Sequence, residues 1–374
     1  MSVTAMKIMK VGIIGCGNIS RVYVKNLKEV YENLSVSVCC DLDEEKAKAA
    51  AEKSGACWTT DISDVLRAED VDIVLNLTTP GTHYDICKAA LDAGKHVYTE
   101  KPLSLDFAHG KELVNLAGEK GLYLGCAPDT FLGAGLQTAI KAVSDGLIGR
   151  PVAGVAAMMC RGHESWHPSP DFYYDYGGGP LYDMGPYYIT ALVRLLGRAE
   201  SVTAFASRAF NERLITSQPK AGKKIPVKVD THHTGVIRFA NGALITVMMS
   251  FDVYRHHIPP IEIYGTDGSL CVPDPNTFSG SVVLYSMQEG EKRELEHVSN
   301  YTEQERGIGL SDMALAISEN RNFNASGSLA LHVLEIMEAF VRSAKENRAI
   351  EITTTPDPMI PLDWSAEKGK LKTL

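Results

Sequence analysis

No C-x-x-C pair occurs among the eight cysteines, and no apolar stretch approaches the ~18 residues that a membrane-spanning helix requires. The first absence speaks against a zinc ribbon or a dithiol redox motif, the second against membrane insertion; the most apolar strand, Leu244 to Phe251, is far too short. Several cysteines sit inside apolar runs, where a thiol behaves as a small hydrophobe, so they read as reduced and the chain as cytoplasmic. Met1 to Lys10 carries lysines but no apolar core of an export signal. Basic residues are the minority: 37 Lys and Arg stand against 46 Asp and Glu, a net charge of −9 with a pI near 5.7. That leaves no footprint for nucleic acid or an anionic membrane. Aromatic residues make up only 7%, and 32 Gly and 17 Pro are ordinary globular usage, which excludes collagen-like and low-complexity chains. What is there is a chain of 374 residues, 45% hydrophobic, long enough for two or three domains of ~150 residues.

From Met9 to about Cys126, short apolar or β-branched runs alternate with amphipathic stretches, the pattern of parallel βαβ units. Strands are expected at Lys10 to Gly15, Ser35 to Asp41, Asp72 to Thr78, His96 to Thr99 and Leu122 to Cys126. Helices are expected at Glu44 to Ser54, Thr82 to Ala93 and Phe107 to Lys120, with Gly94 and Gly121 as stop signals. After Asp145 to Pro151 the period shifts toward alternation, as in Val152 to Met159, Gly235 to Phe239, Ala243 to Ser250 and Ile261 to Gly265. Helices at Gly185 to Leu196 and Ser328 to Lys345 complete this half. The fold class is an α/β Rossmann domain, a doubly wound parallel sheet over residues 7–127, followed by an α+β domain over 128–374 with a large, mostly antiparallel open sheet. The C-terminal helix can pack on either domain.

Gly15-Cys16-Gly17-Asn18-Ile19-Ser20 follows the first strand and opens a helix, fitting G-x-G-x-x-[GAS] with Ser20 at the third small position. Gly15 permits the tight turn and Gly17 lets backbone approach a pyrophosphate. The helix start over Asn18 and Ile19 offers amide N–H groups to that anion. Asp41 closes the second strand 21 positions after Ser20, where a carboxylate can accept ribose hydroxyl bonds. Taken alone, either feature could be a bare βα turn with a surface Asp; their order points to a dinucleotide. Asp41 repels a 2′-phosphate and no Arg follows it closely, so NAD is expected over NADP. Thr78, Thr79, Pro80 and His83 end one strand, and Glu100-Lys101-Pro102 ends the next. The carboxyl ends of strands form the ligand crevice of such sheets, which adds Thr78, Thr79, Pro80, His83, Glu100 and Lys101 to the expected cofactor contacts. The bland reading of Lys101 is a solvated loop lysine.

Arg161 to Tyr188 concentrates Trp166, Phe172, Tyr173, Tyr174, Tyr176, Tyr182, Tyr187 and Tyr188. Such rings can stack on the C–H faces of a sugar while Asp171, Asp175, His163 and His167 bond its hydroxyls, and Trp166, His167, Asp171, Tyr173 and Tyr176 are the expected substrate contacts. The alternative is an aromatic domain interface. Within this block His163-Glu164-Ser165-Trp166-His167 matches H-E-x-x-H, but Pro168 and Pro170 oppose the helix a zinc site would need, so no metal is expected. The pairs His232-His233 and His256-His257 lie in strand-like stretches, where neighbours face opposite ways.

With Gly15 to Ser20, Asp41, Thr79-Pro80, Glu100-Lys101-Pro102 and Gly177 to Gly185 (GGGPLYDMG) in order, the chain resembles the Gfo/Idh/MocA family, glucose-fructose oxidoreductase, inositol dehydrogenase and their relatives. The resemblance implies NAD(P)-dependent redox chemistry on a ring carbinol of a sugar, polyol or related alicyclic alcohol. It places Lys101 near the substrate oxygen and matches Asp183 to the aspartate of the family's D-x-G-x-H, with Tyr187 at the histidine position, as in a tyrosine-containing subset. It also implies a homodimer or homotetramer formed through the open face of the second sheet. Ala127-Pro128-Asp129-Thr130-Phe131 departs from the family's R-F-x-P pattern.

The working mechanism has Lys101 bonding the carbinol oxygen, Tyr187 exchanging its proton, and Asp183 orienting the pair or a substrate hydroxyl. A phenol ordinarily titrates near ~10, so the Lys101 ammonium is the group that would lower it. Two other functions share the same residues. One is a glycoside-modifying enzyme that oxidises a ring carbon transiently without net NADH, and the other is a non-catalytic dinucleotide or sugar sensor.

Overall fold

The computed structural model describes residues 7–288 and 290–374. Its first sheet is made of β1 (Met9–Ile14), β2 (Leu34–Cys40), β3 (Cys57–Thr59), β4 (Ile73–Asn76), β5 (His96–Thr99) and β6 (Leu124–Cys126), all parallel, in the order β3-β2-β1-β4-β5-β6. The order reverses between β1 and β4, which is where a doubly wound sheet opens its crevice. The crossovers are α1 (Ser20–Glu29), α2 (Glu44–Ser54), α3 (Ile62–Arg67), α4 (His83–Asp92) and α5 (Phe107–Lys120). Local chemistry sets their ends. The Asp43 side chain accepts the amides of Glu45 and Lys46 at the start of α2, and Gly55 closes that helix at φ 79°. Asp106 and Gly121 do the same for α5. Central β4 is buried along its whole length, as a strand covered on both faces must be.

The second sheet joins β7 (Pro151–Met159), β8 (Ala199–Ser207), β11 (His232–Phe239), β12 (Leu244–Ser250), β13 (Ile261–Gly265), β14 (Gly268–Val272), β15 (Val283–Ser286), β16 (Lys292–Glu294) and β17 (Ile350–Glu351). A separate short ribbon pairs β9 (Glu212–Leu214) with β10 (Lys224–Pro226). The nine-stranded order is β16-β15-β14-β13-β7-β12-β11-β8-β17, antiparallel except for the parallel pair β7 and β12. One face buries Val202, Ile237, Ile245, Ile263 and Leu270. The other keeps Phe205, Val236, Leu244, Tyr264 and Tyr285 exposed, and the register puts all five on that same face. Helices α6 (Ala134–Ser144) and α7 (Gly179–Leu196) belong with this sheet. The helices α8 (Ile308–Glu319) and α9 (Gly327–Glu346) follow it in the chain.

Two compact units result: one takes the chain through Gly133 with Ser299–Leu331 and Pro356–Leu374, the other Ala134–Val298 with His332–Thr355. This differs from one cut after residue 127. The return has a physical cause, because Leu331 at the start of α9 is buried with Ile14, Val74, Val97 and Leu124 in the first unit's core. Helix α7 starts at Gly179, six residues before the expected Gly185, with Pro180 in its first turn. His256 and His257 are not in a strand; the segment between β12 and β13 is irregular there.

Candidate active site

In the first unit the glycine turn is forced by close backbone. Gly15 has φ 95°, and a Cβ there would stand 2.8 Å from backbone atoms of Leu77 and Thr78. Gly17 faces open space instead, with nothing within 4 Å of where its Cβ would lie. Ser20 fits the third position, buried and donating its hydroxyl to the Gly17 carbonyl at 2.7 Å. At the N-cap of α1, Ile19 gives the first amides no side-chain acceptor. Asp41 lies against this turn. Its Oδ2 accepts the Cys16 amide at 2.7 Å and its Oδ1 the Asp43 amide at 2.8 Å, fixing the carboxylate at the tip of β2. An approachable glycine, open helix amides and an adjacent carboxylate are what a dinucleotide's pyrophosphate and ribose require, so these residues fit that cofactor.

Thr78 is set by Asn76, whose side-chain oxygen takes the Thr78 hydroxyl at 2.7 Å and amide at 3.2 Å, and Thr79-Pro80 lead into a tight 3-10 turn. His83 corrects an expectation: it is fully buried, with Nδ1 2.7 Å from the Pro102 carbonyl and Nε2 3.1 Å from the Thr78 carbonyl. It braces the two strand ends rather than facing a cofactor, and burial lowers its pKa from the usual imidazole range. Glu100 is likewise turned inward, only 8% exposed, taking the Tyr23 hydroxyl at 2.9 Å and the Lys101 amide at 3.1 Å. It holds the loop that presents half-buried Lys101.

In the second unit, Asp183 and Tyr187 lie four residues apart on α7 and so rise from one helical face. His163 reaches that face from the loop after β7, with Nε2 3.3 Å from Asp183 Oδ2. Its ring meets Tyr173 at 4.1 Å, Phe251 at 4.6 Å and Trp166 at 5.1 Å between centroids. Tyr173 also packs on Phe172 and His167, so Trp166, His167 and Tyr173 form one cluster around His163. Asp171 stands apart, exposed and paired with Lys220, and Tyr176 is 74% exposed. The H-E-x-x-H segment forms a turn, not a helix, and its groups have other partners. Glu164 accepts from Arg213 and Tyr174, and His167 Nδ1 from the Ser169 amide. The Glu164 carboxylate and burial push the Tyr174 phenol upward, burial being the larger cause.

Sequence reading missed Arg213. It is 6% exposed and donates to the Arg161 and Phe251 carbonyls and to Glu164 and Asp252, so it ties the aromatic loop to the end of β12. Nothing in its local sequence distinguishes it from a surface arginine.

The Rossmann-type sheet with its glycine turn, and the open-faced sheet with its polar-aromatic cluster, define a two-unit dinucleotide-dependent oxidoreductase. Residues 9–127 match the profile described as an oxidoreductase family with an NAD-binding Rossmann fold, and residues 136–271 match the GFO/IDH/MocA C-terminal domain. The chain belongs to the Gfo/Idh/MocA family of oxidoreductases, and its cofactor is NAD. It is 26% identical to 1,5-anhydro-D-fructose reductase of Ensifer adhaerens, over 92% of this chain and 98% of that one. It is 28% identical to levoglucosan dehydrogenase of Pseudarthrobacter phenanthrenivorans, over 62% and 63%. The matches span from 50% to 98% of the curated relatives' lengths. A solved levoglucosan dehydrogenase in complex with NADH and L-sorbose shares the fold, with a TM-score of 0.80 at 22% identity, covering 93% of this chain and all of that one. Among the described residues no helix is long and apolar enough to cross a membrane.

Proposed function

We propose that the chain catalyses NAD-dependent redox at a ring carbinol of a sugar, polyol or related alicyclic alcohol. The carrying observation is the α7 face on which Asp183 and Tyr187 rise beside His163 and its aromatic ring cluster. Aromatic edges suit sugar C–H faces, and the polar groups suit hydroxyls. Two relatives named for ring sugars, the 1,5-anhydro-D-fructose reductase and the levoglucosan dehydrogenase, support the substrate class. When bound, the nicotinamide supplies the hydride acceptor or donor. Lys101 bonds the carbinol oxygen, Tyr187 exchanges its proton, and Asp183 orients the polar face. Gly15, Gly17, Asn18, Ile19 and Asp41 hold the dinucleotide, with Thr78, Thr79 and Pro80 along its nicotinamide half; Trp166, His167 and Tyr173 hold the ring.

The test is a sugar and polyol panel followed by nicotinamide absorbance, with Lys101→Met and Tyr187→Phe beside the wild type. Each variant should lose about 10²- to 10⁴-fold in kcat while NAD still binds. Turnover within a few-fold of wild type in either would sink these roles, and sugar conversion without net NADH would move the reading to transient oxidation. The eight cysteines are all free, which suits a reducing, cytoplasmic setting. The exposed face carrying Phe205, Val236, Leu244, Tyr264 and Tyr285 suits burial against a second copy of the chain, checked by sedentimentation with Leu244→Lys.

A further inference from the structure

The contact between His163 and Asp183 fixes more than the orientation of a ring. A carboxylate only accepts hydrogen bonds, so with Nε2 at 3.3 Å from Asp183 Oδ2 the N–H is on Nε2 and the lone pair on Nδ1. Nδ1 is buried and has no hydrogen-bond partner. Leaving such a group unmet costs about 1–3 kcal/mol, a cost that a proton delivered during turnover would relieve. The ring is held edge-on by Tyr173, Phe251 and Trp166, and its side chain is 12% exposed. The 3.3 Å separation is long, as such contacts often are before substrate seats.

We propose that His163 is the terminal proton acceptor of the oxidation, with Asp183 as the carboxylate that sets its tautomer and pairs its charge. This rests on the roles given above to Tyr187 and Asp183 and adds where the proton ends. Tyr187 rises one turn beyond Asp183 on the same face, which puts the phenol in the imidazole's neighbourhood. In the step, the carbinol C–H bond breaks and its electron pair leaves as hydride to the nicotinamide. The carbinol O–H proton passes to the Tyr187 oxygen, the Tyr187 proton passes to Nδ1 of His163, and the carbonyl forms. Tyr187 ends as the neutral phenol it was, and His163 ends as an imidazolium against the Asp183 carboxylate. In the reducing direction the same imidazolium returns the proton. An imidazole holds or releases a proton at neutral pH, which an ordinary phenol does not do.

Two readings test this. ¹⁵N spectra of the imidazoles in the resting protein, assigned by comparison with His163→Gln, should show His163 as the Nε2–H tautomer; the Nδ1–H tautomer overturns the proposal. His163→Gln keeps an N–H for Asp183 but cannot accept a proton, so its kcat should fall about 10²-fold or more, with NAD affinity and sugar KM within a few-fold. His163→Ala should fall as far and recover with added imidazole. A His163→Gln protein at wild-type turnover beside an inactive Lys101→Met overturns the proposal alone, since the ring would then only hold Asp183. Lys101→Met at wild-type turnover overturns the functional reading beneath it, and the proposal with it.

Discussion

Asp41→Asn removes a charge from the tip of β2 while leaving a side chain of the same shape, and so asks whether that charge chooses the cofactor. The two amide bonds at 2.7 and 2.8 Å hold the carboxylate beside the glycine turn, so it cannot swing away from an incoming ribose. At about 4 Å, two like unit charges repel by about 1 kcal/mol in bulk water and about 4 kcal/mol near a protein surface. Asp41 is half-buried, between these limits. A 2′-phosphate should therefore lose about 2–3 kcal/mol, or roughly 30- to 150-fold in affinity.

Titration of NADH and NADPH fluorescence on wild type and Asp41→Asn measures this directly. The wild type should prefer NADH by that margin, and the variant's ratio should shrink by about tenfold or more. The ratio cancels any disturbance of the turn common to both ligands. Screening gives a second signature, because a preference carried by charge weakens as salt is raised past about 0.15 M. An unchanged ratio in the variant, or a wild type that binds both cofactors equally, would refute the reasoning.

Arg213→Met should unfold the protein at lower temperature, because it leaves the Glu164 and Asp252 carboxylates, 12% and 10% exposed, without their cation. Breaking one side of a buried pair costs about 3–5 kcal/mol, and adding Glu164→Gln and Asp252→Asn should recover much of it; thermal melts showing no recovery would count against the clamp. Asp129 gives a pH signature. It is fully buried, takes the Gly307 and Gly309 amides through Oδ2, leaves Oδ1 without a partner, and burial raises its pKa from 3.8 to about 6. Between those values the native state keeps a proton that the unfolded chain has lost. The stability it contributes is thus complete below pH 3.8 and is lost as pH rises through about 6, by about 3 kcal/mol. In urea unfolding, the stability of Asp129→Asn relative to wild type should grow by that amount from pH 4 to pH 7, and parallel pH curves would refute it.

Much of the first unit was legible because its signals are local. The strand, glycine turn and helix at Gly15 to Ser20 follow from backbone sterics over a few residues, and the acid at Asp41 from one βα crossover. The edge strand β3, three residues long, was too short to carry a period. Helix α8 is apolar on nearly every side and buried through its first turns, so no amphipathic stripe marks it. His83 and Glu100 have the right positions for a ligand crevice, yet burial turns both toward their own loops.

By itself, the amino-acid order determined the parallel-sheet class, the cofactor turn and the pool of polar and aromatic groups from Arg161 to Tyr188. Those depend on φ/ψ sterics, helix caps and periodicity, which act over neighbouring residues. Only the tertiary structure decided which of those groups meet: that His163 sits on Asp183, that Arg213 binds Glu164 and Asp252, and that Leu331 returns to the first core. Such contacts join residues far apart in the chain. Their partners are selected by packing and by the cost of leaving a buried charge or donor unmet, and neither quantity is written in local sequence.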